Sequence, residues 1–220
     1  MPEVGPYCGP MPNWVVISSL STAGGTLVLA GATFTSVRSA NRSARVAEEA
    51  MLAGVRPLLV PSRLEDPPIK VGFLDNHFVM TPGGCGTAEV TDDAVYLTMS
   101  VRNAGSGIAV LHGWRIELDR DLAGASRPPV DAFRRLSRDL YIAAGEVGFW
   151  QGAYRDLDEP ELADVRERIT EPERIVLDLL YGDHLGGQRV IGRFSLLPRS
   201  DGTWLATVSR HWNVDRPDPR

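Results

Sequence analysis

Lysine is nearly missing from this chain. Of its 23 basic side chains only Lys70 is a lysine, and 28 acidic residues leave a net charge of −5. A chain without a basic excess is not a general nucleic-acid binder, which needs a positive face for the phosphate backbone. Cysteine is equally scarce: Cys8 and Cys85 show no C-x-x-C spacing. That excludes a disulfide-stapled scaffold and a cysteine zinc site. The histidines, His77, His112, His184 and His211, form no H-x-x-x-H or H-x-H pair, and there is no G-x-S-x-G elbow. The signatures of zinc-protease helices and of serine hydrolases of the elbow type are therefore missing. Nothing in the composition asks for a cofactor or a metal.

What is present is a long uncharged run. From Trp14 to Val37 no side chain is charged, and Arg38, Arg42 and Arg45 follow at once. Those 24 residues include nine Val, Ile, Leu or Phe, diluted by eight Ser or Thr and three Gly. A span needs about 20 predominantly apolar residues. A cleaved signal peptide would carry a positive leader and a small-residue cleavage site, whereas residues 1–13 hold only Glu3 as a charged side chain. A core helix would be shorter and would show a polar stripe. The run therefore predicts a retained transmembrane helix over 14–37, anchored between Trp14 and Val37. Arg38, Arg42 and Arg45 would mark the inner flank by the positive-inside rule. That places a short extracytoplasmic tail over 1–13 and the rest of the chain in the cytoplasm, at the plasma membrane. On a helix Ser18, Thr22, Gly25, Ala32 and Ser36 share a face with Leu29 as its one bulky member, which predicts a homodimer through this helix.

Beyond the run, alanine recurs at 40, 44, 47, 50 and 53, and alanine is the best helix former. Gly54 and Pro57 supply a stop, so 38–54 reads as a helical stalk. From Val55 the pattern changes to short apolar or alternating runs. These are "RPLLVP", 94–103, 107–118, 146–154, 174–183, 188–197 and 202–212, separated by Gly, Asp and Pro clusters. Such runs argue for antiparallel strands. One helical interruption, 158–169, has an acidic first turn and Leu162, Val165 and Ile169 at helical spacing. The expectation is a mainly β chain: an antiparallel two-layer sandwich over 55–220, preceded by one long transmembrane and stalk helix. Val95, Leu97, Met99 and Val101 would line its inner face, and most of Trp114, Phe149, Trp150, Trp204 and Trp212 its core.

The turn "NAGSGIA" carries Asn103, Gly105, Gly107 and Ala109. Glycine takes positive φ in tight or bulged turns, and an Asn side chain can bond nearby backbone. These residues read as a structural turn. With Arg56, Pro57, Leu58 and Val60 before them, and "LLYGDHLGGQRVIGRFSL" after them, the layout resembles a group of uncharacterised bacterial single-span membrane proteins. Those combine a stalk helix with an immunoglobulin-like sandwich carrying an N-x-G-x-G-x-A hairpin. The resemblance implies an architecture and brings no activity.

Two functional classes follow. The first is a membrane-anchored binding or scaffolding module with a protein partner at the inner face of the membrane. The alternative is a membrane-anchored metal-dependent hydrolase, which would have to draw Asp183, His184 and His211 together from separate strands.

Overall fold

The structure, a computed structural model, describes residues 13–118 and 126–218, with the side chains at 14–21 and 23 outside the described set. The expected tail over 1–13, Asn13 apart, lies outside the described residues, as does Cys8. The chain divides into two compact units, Met1–Ala50 and Met51–Arg220.

One continuous helix, α1 (Trp14–Gly54), covers both the expected span and the expected stalk. Thr26, Thr33 and Thr35 turn their hydroxyls back onto the carbonyls of Thr22, Leu29 and Ala32 at 2.9, 2.7 and 2.9 Å. Each hydroxyl is thereby satisfied within the helix. Leu27, Val28, Leu29, Phe34 and Val37 are 53–74% exposed. Among the described residues no helix is long and apolar enough to cross a membrane, so the transmembrane assignment of 14–37 is not supported there. The physical reason is dilution. Between Thr22 and Ser36 hydroxyls and glycines alternate with the apolar residues, and Arg38 and Arg42 follow within two turns. Val15, Val16, Ile17 and Leu20, which would complete the run, have side chains outside the described set.

The second unit is mainly β. Its strands are β1 (Leu59–Pro61), β2 (Ile69–Gly72), β3 (Phe78–Thr81), β4 (Cys85–Val90), β5 (Val95–Asn103), β6 (Ala109–Glu117), β7 (Arg134–Ile142), β8 (Val147–Tyr154), β9 (Ile175–Asp183), β10 (Val190–Pro198) and β11 (Trp204–Asn213), with α2 (Leu162–Thr170) between β8 and β9. Nine strands form one antiparallel sheet in the order β1-β5-β4-β11-β10-β9-β6-β7, with β8 added on β5. The sheet curls on itself like a sandwich, so residues from both of its halves meet in one core around Leu97, Met99, Trp150, Leu177, Leu179 and Phe194. α2 contributes Leu162 and Val165 to that core.

The expected inner row Val95, Leu97, Met99 and Val101 is fully buried. The opposite face of β5 is buried too, against the alternation expected of a half-solvated strand. The β2–β3 hairpin forms a separate two-stranded sheet, and its Val71, Phe73 and Val79 pack on Ala94 and Tyr96. The hairpin thus supplies the second cover.

Asn103 sets the geometry of the unit's lower end. Its amide oxygen accepts from Leu58 N at 3.1 Å and Gly105 N at 3.0 Å. Its amide nitrogen donates to Gly107 O at 2.6 Å and Ile142 O at 3.0 Å. Its backbone meets the next hairpin, donating to Glu146 O at 3.0 Å and accepting from Gly145 N at 2.8 Å. The glycines of this turn act differently from expectation. Gly105 and Gly107 are not among the positive-φ residues. They are needed because the chain at 55–58 passes over them: a Cβ would lie 2.4 Å from Arg56 O at Gly105 and 1.8 Å from Val55 O at Gly107. The end of α1 is held here as well, with Ser106 Oγ donating to Ala53 O at 3.2 Å and Gln188 Nε2 to Leu52 O at 2.6 Å.

An Asn103→Asp substitution removes both N–H donors and places a carboxylate against two carbonyls in a site with no exposure. Urea unfolding of the full chain should show a loss of at least about 3 kcal/mol. A loss below about 1 kcal/mol would contradict this role for Asn103.

Candidate functional site

The residues expected for a hydrolase do not converge. Asp183 ends β9, is 1% exposed, and spends Oδ1 on Leu185 N at 2.8 Å and Gly187 N at 3.2 Å, closing the turn to β10. His184 follows it on the surface. His211 lies on β11, where its Nε2 donates to Leu59 O at 3.0 Å and its ring meets Phe194 edge-on. Gly192 pairs with both His211 and Leu179, which puts His211 two strands across from Leu179 and four residues along from Asp183. At about 3.4 Å per residue that alone is on the order of 13 Å. Among the described residues no group of three His, Cys, Asp or Glu side chains could hold a metal ion.

Charge is instead gathered in two places. On the outer face of β6, β9 and β10, Arg193 makes a two-pronged pair with the buried Asp178, at 2.7 Å on each oxygen, and reaches Glu117 at 3.2 Å. Arg115 joins both acids, and the Arg193 guanidinium sits 5.0 Å over Trp212. The Asp178 hydrogen bond holds the Arg193 guanidinium above its ordinary value, against burial. Two cations meet two anions here.

The second place is the gap between β7 and β8. Among the described residues each of these strands ladders with one neighbour, β7 with β6 and β8 with β5. Arg134 reaches inward and lies 5.1 Å from the Trp114 ring and 4.5 Å from the Tyr154 ring, paired with Glu159 and, at 3.9 Å, Glu161. Arg138 donates to Gln151 Oε1 at 2.6 Å and covers Phe149. Arg155, just past β8, donates to Asp75 at 2.9 Å and lies over Phe73 and Tyr96. Arg135 is exposed and has no such partner among the described residues. A cavity of about 90 Å³ opens between these groups, lined by Arg134, Arg135, Ser137, Gln151, Arg155 and the edge of Trp114. Gly152 keeps its floor bare, since a Cβ there would meet the Trp150 and Trp114 rings at 2.7 and 2.9 Å.

The titration of the surrounding groups follows from burial and pairing. Burial, with Glu161 beside it, pushes the Tyr154 hydroxyl far above the ordinary tyrosine range, so it acts as a donor to Glu161 at 3.0 Å. Burial works against ionisation of Asp75, but hydrogen bonds from Tyr96 and Arg155 outweigh it and hold the carboxyl well below the usual carboxylate range.

Strand β7 did not emerge from sequence reasoning. Leu136, Leu140 and Ile142 carry a period of two, but Arg138 breaks the apolar row and four charged residues crowd Arg134–Asp139. The expected core placement of the aromatics holds for Trp114, Trp150, Trp204 and Trp212, which are buried together with Tyr154, while Phe149 is half-buried. Arginines lie over the Trp114, Tyr154, Phe149 and Trp212 rings.

No protein-family model matches the chain. No curated protein matches it either. Among solved structures, a selenomethionine-labelled β-glucosidase from Kluyveromyces marxianus is similar at 15% identity, over 57% of this chain and 13% of that one, with a TM-score of 0.21. A likeness that slight carries no argument about fold or activity.

Two histidines on the sheet, His211 half-buried and His112 exposed, give the β unit a defined pH response. Burial lowers the His211 pKa from its ordinary 6.5, helped by Arg56 and opposed by the Leu59 hydrogen bond. His112 is lowered by burial and Arg189. A depressed folded pKa means the unfolded chain binds the extra proton first, so the stabilisation is complete above pH 6.5 and is lost as pH falls from there through the folded pKa. Thermal unfolding of the full chain should show a Tm that is flat above neutrality and declines below pH 6.5. His211→Gln, which keeps a donor for Leu59, should flatten part of that decline. Identical slopes in the two proteins would contradict it.

Proposed function

We propose that this chain is a binding or scaffolding module held at the inner face of the plasma membrane by α1, with its β unit offering the arginine-lined seam to a protein partner. The observation that carries the reading is the state of α1. Five large apolar side chains between Leu27 and Val37 are 53–74% exposed, in a run that holds no charge back to Trp14. Leaving such side chains in water costs about 1.5–3 kcal/mol each relative to burial, and a bilayer would take them. The described part of α1 is too dilute for this by itself, so crossing depends on Val15, Val16, Ile17 and Leu20. Arg38, Arg42 and Arg45 are exposed on the far flank, which supports an inner C-terminal side. Kinship with single-span bacterial proteins belongs to the same reading, as does pairing of two helices through Thr22, Gly25, Ala32 and Ser36. The hydrolase alternative gains nothing from three residues that share no site.

Two measurements test the anchor. The intact chain should stay with membranes through alkaline carbonate extraction, and Ile17→Arg combined with Val28→Arg should release it. Cys85 is 3% exposed and is a poor topology probe. Glu146→Cys, at an exposed turn, should resist a membrane-impermeant thiol reagent in intact cells and react once they are opened. Release of the intact chain by carbonate would overturn the anchor. With Cys8→Ser in the same chain to remove the tail thiol, labelling at position 146 in intact cells would overturn the orientation.

A further inference from the structure

Among the described residues, the seam between β7 and β8 leaves two strand edges without a neighbour: no backbone group of residues 135–141 or 148–153 bonds there outside the β6 and β5 ladders. In an antiparallel strand backbone groups point alternately to either side. Half of those on each edge therefore face the gap, and such an edge is a template for another strand.

The two edges are not equivalent. On β7 the four residues Leu136–Asp139 stand opposite the single residue His112 of β6. That irregularity flares the strand and spoils it as a template. On β8 the pairing to β5 runs without a break from Val147↔Arg102 to Tyr154↔Val95. The regular edge is therefore that of β8; the β7 arginines form the opposing wall and cover its buried middle, Trp150–Gly152, with Arg138 bonded to Gln151, so an added strand has to turn them aside.

The cavity on this seam is about 90 Å³, about three times a water's share of liquid volume. That is well under the roughly 300 Å³ at which pockets begin to enclose whole small molecules. It takes the end of a side chain, and the rest of the ligand must lie outside, along the edge. Its charge balance selects that side chain. Arg134 is committed to Glu159 and Glu161, and Arg155 to Asp75. Arg135 brings the one lining charge without a partner among the described residues, with the Ser137 hydroxyl as a neighbouring lining group. One uncommitted guanidinium matches one carboxylate, whose two oxygens fit its planar fork. A dianionic phosphoryl group would leave a charge unmatched beside three carboxylates.

We propose that the β8 edge receives an extended peptide segment as an added strand, with a Glu or Asp side chain of that segment seated on Arg135. The proposal rests on the binding-module reading and names its ligand class. The arginines would then give the seam two roles. Unoccupied, they discourage pairing with neutral or basic strands; for an acidic strand they supply the attraction.

The test uses the full chain and a fluorescent seven-residue peptide alternating glutamate and valine, read by anisotropy. Its glutamine counterpart should bind at least about tenfold more weakly, as expected for loss of a charge-assisted pair. Methylating alternate backbone nitrogens of the glutamate peptide should abolish binding, because an added strand needs those donors. Arg135→Gln should erase the difference between the two peptides while leaving Tm unchanged, since Arg135 is exposed and holds nothing in the fold. Equal binding of the glutamate and glutamine peptides would overturn the carboxylate assignment. So would displacement of the glutamate peptide by inorganic phosphate at concentrations where acetate has no effect. Unimpaired binding of the methylated peptide would overturn strand addition. Failure of every peptide to bind would overturn the proposal as a whole, while carbonate extraction decides the anchored-module reading separately.

Discussion

The β unit depends on one buried amide. Asn103 has no exposure, and its side chain makes four hydrogen bonds that tie the chain entering β1, the β5–β6 turn and the end of β7 to one point. An Asn offers two donors and an acceptor oxygen in one plane, and every one is used. Remove it and four backbone groups lose their partner, two of them, Gly107 O and Ile142 O, in a dry place, which is the costly case for a hydrogen bond. The glycines around it serve the same convergence, giving up their side chains so that residues 55–58 can cross within contact of the turn.

That convergence decides where the sheet can close and where it cannot. At the Asn103 end β7 and β8 are joined by their turn and held by Gly145 and Glu146. Away from it each follows its own neighbour, β6 or β5. An edge in a curled sheet is normally closed, covered or charged. Here arginines fill it, stacking on Trp114, Tyr154 and Phe149 and borrowing acids from the α2 approach and the β2–β3 turn. The network around Asp178 shows the contrast. There two arginines and two acids meet and the central pair is buried, whereas at the seam Arg135 has no charged partner among the described residues.

The two units answer different physical demands. In the β unit apolar surface is removed from water by both faces of β5 and by a core that draws on both halves of the sheet. In α1 the large apolar side chains remain exposed. A helix of this kind needs a medium or a partner to cover it, and the dilution by Ser, Thr and Gly makes its association with a bilayer a matter for measurement on the intact chain.

Much of the architecture was legible from residue order alone. Helix propensity and the Gly54–Pro57 stop located α1, and alternation located β5 with its inner row Val95, Leu97, Met99 and Val101. Runs bounded by Gly and Asp located β6 and β8 to β11. These features are local, since they depend on a period or a turn within about ten residues. What escaped was set by neighbours distant in the chain. β7 hid because its arginines find rings and acids on β6, β8 and the approach to α2, which no local pattern reveals. The second cover on β5 came from a hairpin whose strands are only four residues long. Gly105 and Gly107 were recognisable as structural, but the reason was the strand passing over them and not their own φ. Asp183, His184 and His211 were plausible partners by type and lie apart, because strand register places Asp183 and His211 at different levels and on strands two positions apart. Sequence by itself determined the two helices, β5, β6 and β8 to β11, and the apolar row of β5, because each rests on a local period or turn. Tertiary structure alone decided which charges are spent on one another and which arginine is left at an open edge, because pairing between charges depends on distance in space.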